Sequence, residues 1–280
     1  MSGRLLCIGM GYTARTLATR LEARGWSVGG TSRRGESGLV AFSRERPLPA
    51  EIWTGVTHVL VSIPPDERGD VLLDLHERDL KRAERLRWVG WLGTTAVYGD
   101  TGGAWVDEES PLRPSVPRAE RRASAERAWR SSGLPVHLFR LAGIYGPGRN
   151  ALVNLRTGDA HRIVKPGQVF SRIHVDDIAT TLEASIARPD PGRVYNVCDD
   201  EPAPPQDVVS YAADLLGIAP PVEQPFETAD LSPMARTFYA DNRRVRNGRI
   251  KSELGVGLAY PTYREGLRAL LAAEKEASRP

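Results

Sequence analysis

The sequence predicts an α/β fold, a parallel doubly wound sheet with helices on both faces. Three observations predict it. Short apolar runs at residues 5–8, 57–63, 87–92 and 134–140 read as buried parallel strands, and helical patterns separate them. The first run breaks at a glycine turn, then a helix and a second strand follow, the layout of one βαβ crossover. Composition is ordinary for a globular chain, with 41% apolar and 26% charged residues over 280 positions, which is ample length for a sizeable core.

The glycine turn is Gly9-Met10-Gly11-Tyr12-Thr13-Ala14, which fits G-x-G-x-x-A. The first glycine allows a tight turn, the second lets a pyrophosphate approach the backbone, and the small Ala14 lets helix pack on strand. The helix start then offers unpaired N–H groups and the positive end of its dipole. Together these features describe a Rossmann-type dinucleotide site. Leu17, Ala18 and Leu21 form the inner face of that helix, and Gly25 closes it. The second strand, 26–31, leads into Ser32-Arg33-Arg34, about twenty residues beyond Gly11, where an NAD site usually carries an acid. No acid occurs between Gly25 and Glu36. Ser32, Arg33 and Arg34 therefore favour the 2′-phosphate of NADP(H), with NAD(H) as the alternative.

A third short strand is expected at 38–42. The strand 57–63 stops at Pro64-Pro65, since proline cannot continue a ladder. Its carboxyl end places Ile63 and Pro64 beside the dinucleotide, unless they form only a rigid turn. Residues 70–86 form a helix with Val71, Leu72, Leu75, Leu80 and Ala83 inward and His76 at the surface. Strand 87–92 runs into Thr94-Thr95-Ala96-Val97-Tyr98, placing hydroxyls where such sheets make ligand contacts. A loop spans 100–117, a helix 118–131 ends at Gly133, and strand 134–140 leads to Gly143-Ile144-Tyr145-Gly146-Pro147-Gly148. The basic set Arg149, Asn150, Arg156, His161, Arg162 and Lys165, with Arg172, suits an anionic substrate or is solvated loop charge. Asp176 and Asp177 cap the next helix. A further helix covers 206–216, an irregular connector covers 219–233, and the charged run 243–251 reads as an exposed helix face.

A net charge of +3 and a pI near 9.0 fall short of a nucleic-acid signature. Cys7 and Cys198 lack metal-ligand spacing and fit free thiols in a reducing compartment, so no metal site is expected. No apolar run approaches the ~20 residues of a membrane span, and the chain enters its first strand too early for a signal peptide. A cytoplasmic protein without membrane or nucleic-acid partners is the expectation.

Several motifs occur in a recognisable order: the glycine turn, Thr94-Thr95-Ala96-Val97-Tyr98-Gly99-Asp100, Phe139-Arg140-Leu141-Ala142-Gly143-Ile144-Tyr145-Gly146-Pro147-Gly148, Arg172-Ile173-His174-Val175-Asp176-Asp177-Ile178-Ala179 and Val194-Tyr195-Asn196-Val197. Over essentially its whole length the chain resembles the extended short-chain dehydrogenase/reductase family, the NAD(P)-dependent epimerase/dehydratase group. The tail beyond residue 243 resembles its atypical subgroups. The resemblance implies a Rossmann domain of 1–150 with 168–198, and a smaller C-terminal substrate domain of 151–167 with 199–280. It also implies cofactor contacts at Gly9, Gly11, Tyr12, Thr13, Ala14, Thr94, Arg122, Gly143 and Ile144. A small-molecule substrate, a nucleotide-sugar among the options, and a monomer or a homodimer through helices 70–86 and 118–131 are further implications.

By the same resemblance, catalysis uses a hydroxyl at the end of the fifth strand and a Tyr-x-x-x-Lys pair one helix later. Thr94 takes the hydroxyl's place. The acidic pair of the dehydratases falls at Thr95 and Ala96, which argues against sugar dehydration. Aligning Glu126 with the family's glutamate places Arg118 at the tyrosine and Arg122 at the lysine. No tyrosine lies between Tyr98 and Tyr145, and no lysine between Lys81 and Lys165. Arg122 can still hold a ribose, but Arg118, with a pKa above ~12, cannot exchange protons near neutrality. Tyr98, Tyr145 and His174 are the remaining proton-transfer candidates, and His174 has the natural pKa for it. Two functions follow: an NAD(P)-dependent oxidoreductase or epimerase with rearranged proton transfer, or a non-catalytic NADP(H)-binding redox sensor.

Overall fold

The structure is a computed structural model and describes residues 3–277; the extreme ends of the expected domains, 1–2 and 278–280, lie outside it. The chain runs β1 (Arg4–Ile8), α1 (Tyr12–Glu22), β2 (Ser27–Ser32), β3 (Val40–Ala41), β4 (His58–Val61), α2 (Val71–Arg82), β5 (Trp88–Thr94), β6 (Trp105–Val106) and α3 (Pro117–Ser131). It continues through β7 (Val136–Leu141), β8 (Gly143–Tyr145), α4 (Ala151–Thr157), β9 (Arg162–Val164), β10 (Arg172–His174), α5 (Val175–Ala187) and β11 (Val194–Val197). The last stretch is α6 (Pro205–Leu216), β12 (Glu223–Pro225), α7 (Pro233–Phe238), β13 (Arg244–Val245), α8 (Gly248–Ser252) and α9 (Tyr263–Ala277).

The central sheet has seven parallel strands in the order β3-β2-β1-β4-β5-β7-β11, the doubly wound arrangement the sequence predicts. The order of strand addition reverses between β1 and β4, so a crevice opens at their carboxyl ends. Strand alternation divides the core. Leu5 and Cys7 of β1 face a layer with Leu17, Leu21, Ile178 and Leu182, whereas Leu6 and Ile8 face one with Leu72, Leu80 and Trp129. The β5 sequence Trp-Val-Gly-Trp-Leu-Gly-Thr makes room for its own indoles. A Cβ at Gly90 would stand 2.1 Å from the Trp88 ring, and one at Gly93 would stand 2.5 Å from that of Trp91.

A third, smaller core joins Leu152 of α4, Val208 and Ala212 of α6, and Tyr263, Leu267 and Leu270 of α9. Three expectations need correction. Within residues 244–256, β13 pairs with β6 in a separate two-stranded sheet, and Ile250, Leu254 and Val256 join the first core. The run 243–251 is accordingly no exposed helix face. The 219–233 connector contains β12, which pairs with β9. His76 is not at the surface: it is buried, accepts the Leu48 N–H at 3.0 Å and meets Asp79 at 2.7 Å, and its own backbone leaves helical geometry. Among the described residues, no helix is long and apolar enough to cross a membrane, and no group of three His, Cys, Asp or Glu side chains could hold a metal ion.

Candidate functional site

The turn after β1 is fixed from both neighbouring strands. The Gly9 N–H donates to Thr31 Oγ1 at 2.9 Å, Met10 N–H to the Thr31 carbonyl at 2.8 Å, and Ser62 Oγ to the Gly9 carbonyl at 2.7 Å. Gly9 has φ +89°, and a Cβ there would lie 2.6 Å from Ile63 Cγ2. Both facts require glycine. Gly11 caps α1 with no side-chain cap bond, and beyond it lies open space, with only Ser62 Oγ at 3.9 Å from an ideal Cβ. The first turn of α1, unlike those of α2 and α4, therefore has no capping side chain to accept its N–H groups.

That helix start opens into a cavity of about 700 Å³. Of the residues expected from sequence, the cavity wall brings together Gly11, Tyr12, Thr13, Thr94, Arg118, Arg122, Gly143 and Ile144. Thr94 ends β5 and accepts the Ala96 N–H at 3.1 Å, which holds its hydroxyl at the strand end. Arg122 Nη1 donates to the Leu92 carbonyl at 2.7 Å, and its guanidinium lies 6.0 Å from the Trp91 ring. Arg118, one turn earlier, stacks 4.6 Å from the Phe238 ring of α7. Tyr12 Oη reaches across the cleft to the Pro147 carbonyl at 2.9 Å.

Other expected residues stand elsewhere. Gly9 and Ala14 lie behind the wall, in the turn and the helix packing. Ile63 packs on Gly9, and neither it nor Pro64 lines the cavity, which Ser62 borders instead. Ser32 Oγ accepts the Gly35 N–H at 2.9 Å, while Arg33 and Arg34 are exposed at the end of β2.

None of the three proton-transfer candidates presents a free group to the cavity. Tyr98 is fully buried; its Oη donates to Asn196 Oδ1 at 2.6 Å and accepts from Arg140 Nη1 at 2.7 Å, and burial pushes its pKa up to about 12. His174 is the N-cap of α5: Nδ1 accepts the Asp176 N–H at 3.2 Å, the ring sits 4.0 Å from that of Tyr260, and burial lowers its pKa. Tyr145 lends its ring to the wall, but its hydroxyl is wedged against Gly266, and burial, then Asp199, raises its pKa. The cap expected from Asp176 and Asp177 is thus the histidine. Asp177 instead accepts the N–H groups of Ala259 and Tyr260 at 2.8 and 3.0 Å.

The basic set also divides. Arg149 and Arg172 line the cavity, Arg172 donating to the Phe170 and Ala203 carbonyls at 2.8 and 3.1 Å. Arg156 pairs with Glu274 and Arg162 with Glu223, Lys165 holds the Tyr239 carbonyl, His161 is exposed, and Asn150 caps α4. Sequence reasoning missed Ser62, Asp241 and Arg243. Asp241 receives Ser115 Oγ and pairs with Arg243 at 3.0 Å, and it is the one carboxylate on the cavity wall among the described residues. Ser62 was legible as the residue leaving β4 at the reversal point; nothing local marks Arg243.

No sequence profile of a known family matches the chain. It is similar to a functionally unknown conserved protein of Silicibacter pomeroyi, with 53% identity, a TM-score of 0.90, and coverage of 98% of this chain and 99% of that one. A Methylobacillus flagellatus protein provisionally described as an NAD-dependent epimerase/dehydratase is 27% identical, with a TM-score of 0.76 over 98% of this chain and 99% of that one. Protein YeeZ of Escherichia coli K12 is 26% identical over 294 aligned residues, 92% of this chain and 96% of YeeZ. Sheet order, glycine turn and structural neighbours together define a Rossmann-type α/β fold. Over almost its whole length the chain shares the fold of NAD-dependent epimerase/dehydratase proteins of the extended short-chain dehydrogenase/reductase type.

Proposed function

We propose that the chain binds a nicotinamide dinucleotide, NADP(H) in preference to NAD(H), and acts as an oxidoreductase or epimerase on a small polar substrate without a tyrosine proton shuttle. The observation that carries this reading is that the uncapped start of α1 opens into the same cavity as Thr94, Arg118 and Arg122. The residues present fit the cofactor. Glycine at 9 and 11 leaves backbone and space for a pyrophosphate, and the free first-turn N–H groups of α1 complement its charge. Ser32, Arg33 and Arg34 at the end of β2 would take a 2′-phosphate.

When bound, the dinucleotide supplies hydride donor and acceptor chemistry at its nicotinamide ring. Thr94 positions a substrate oxygen by hydrogen bonding, and the guanidiniums stabilise negative charge developing on it. Apart from the Asp241–Arg243 pair, the cavity's charged side chains are donors that stay protonated, so solvent or substrate must handle the proton. Fluorescence titration with NADPH and NADH, followed by hydride exchange from labelled cofactor across a substrate panel, tests the reading. Absence of dinucleotide binding overturns it.

The engagement of Tyr98, Tyr145 and His174 elsewhere favours a second reading, a non-catalytic NADP(H) sensor. That reading requires different affinities for NADP⁺ and NADPH by calorimetry; equal affinities exclude it.

A further inference from the structure

Charge on the cavity wall is lopsided. Five guanidiniums line it, those of Arg118, Arg122, Arg149, Arg172 and Arg243, against the single carboxylate of Asp241, which Arg243 already engages. Burial lowers the pKa of three arginines in the described chain, Arg122, Arg172 and Arg243, and all three face this cavity. Away from it, the buried Arg140 carries its own carboxylate, Glu126, with both side chains almost wholly enclosed.

Arg118 and Arg122 stand out because their placement on α3 is unfavourable in three ways at once. They are four residues apart and hence on one helix face, where like charges repel. Arg118 falls in the first turn of α3, where the helix dipole disfavours a cation. Among the described residues no carboxylate lies within 4.0 Å of either guanidinium; Arg122 has a backbone carbonyl and Arg118 an aromatic face. Those partners fix both guanidiniums in place without neutralising them. An anion seated there reverses every one of these terms.

We propose that Arg118 and Arg122, beside Thr94, form an oxyanion subsite that takes a carboxylate or phosphate group of the substrate, separate from the pyrophosphate seat at the start of α1. The substrate is then a small oxyanion-bearing compound, with its charged group next to the reacting centre. The inference deepens the function proposed above and rests on the same cavity being the substrate site. Planar guanidiniums bind carboxylate and phosphate alike through paired N–H donors, so the two groups are separated by experiment.

The test is calorimetric titration of the full chain, with and without saturating NADPH, with oxalate, with inorganic phosphate and with neutral oxamide. Wild type is compared with Arg118→Gln, Arg122→Gln and Arg122→Lys. Oxalate or phosphate binds wild type, and the tighter of the two identifies the group; oxamide does not bind. Each glutamine variant weakens the anion by at least about tenfold, and Arg122→Lys recovers only part of this, because charge returns without the fork. Arg118 is exposed, so its variant is informative even where an Arg122 variant is destabilised. Unchanged anion affinity in Arg118→Gln and Arg122→Gln, or no anion binding to wild type, overturns the proposal. NADPH binding is followed separately by its fluorescence. Loss of NADPH binding with anion binding intact defeats the cofactor reading alone, and the reverse defeats the subsite alone.

Discussion

Replacing Glu126 with alanine tests how α3 is anchored to the sheet. Glu126 Oε1 and Oε2 receive Arg140 Nη2 and Nε at 2.5 and 3.1 Å, and the two side chains are 1% and 3% exposed. Arg140 Nη1 continues to Tyr98 Oη, and Tyr98 to Asn196, so one chain of bonds ties α3, β7, the turn after β5 and β11 together. Removing the carboxylate leaves an enclosed guanidinium without its counter-charge, which costs about 3–5 kcal/mol. At roughly 2–3 °C per kcal/mol for a chain of this size, the unfolding midpoint falls by about 6–15 °C. Replacing the pair together, Glu126→Leu with Arg140→Met, removes charge and counter-charge and recovers most of the loss. Urea unfolding of wild type, Glu126→Leu, Arg140→Met and the double variant gives the coupling directly. A Glu126→Ala loss below about 1 kcal/mol would refute the reasoning, because solvent or another acid would then be neutralising Arg140.

The two turn glycines separate folding from binding. Gly9→Ala destabilises the fold, since φ is +89° and the new Cβ meets Ile63, whereas Gly11→Ala leaves the thermal midpoint near wild type and weakens NADPH by about tenfold or more; equal effects in both assays contradict this. Burial lowers His58 and His137 from 6.5 to about 4, so the unfolded chain takes up protons between these values and the folded one does not. Stability contributed there is complete above pH 6.5 and lost as pH falls toward 4, and His137→Gln flattens the wild-type slope between pH 7 and 5 measured by urea unfolding; an identical slope refutes it. Arg33→Gln with Arg34→Gln lowers the ratio of NADPH to NADH affinity by about tenfold, and an unchanged ratio removes these arginines from cofactor choice.

The sheet was legible because its central strands are enclosed on both faces, so they read as mainly apolar runs such as Leu5–Ile8 or Val59–Val61. The glycine turn was legible because its backbone geometry dictates residue type. The two-stranded ladders were not: β6 with β13 and β8 with β10 involve two or three residues each, joined across long stretches of chain. Polar residues misled wherever a distant partner decides their role. His76 looks like a surface residue until Leu48 and Asp79 close on it, and Arg243 looks like one of a solvated run until Asp241 and the Gly99 carbonyl receive it. Tyr98 and His174 carried the chemistry expected of a site, yet each hydrogen-bonds inward, and nothing in sequence order states that direction.

The weakest helical pattern belongs to the helix that shapes the site, and one cause accounts for both. On α3 the buried positions are Ala119, Ala123, Ala125, Glu126 and Trp129, so no broad stripe of large apolar residues announces an inner face. Alanines let the helix backbone approach the end of β5 closely, and Arg122 can then fold along Trp91 to the Leu92 carbonyl. Arginines that would mark a solvated face on an ordinary surface helix here border the cavity, with Ala119 between them. A helix facing a ligand has two inner faces, one packed and one polar, and the polar one cancels the periodicity that the packed one creates. Low amphipathicity in a helix following a strand that ends in hydroxyls is therefore a sign of ligand contact as much as of exposure.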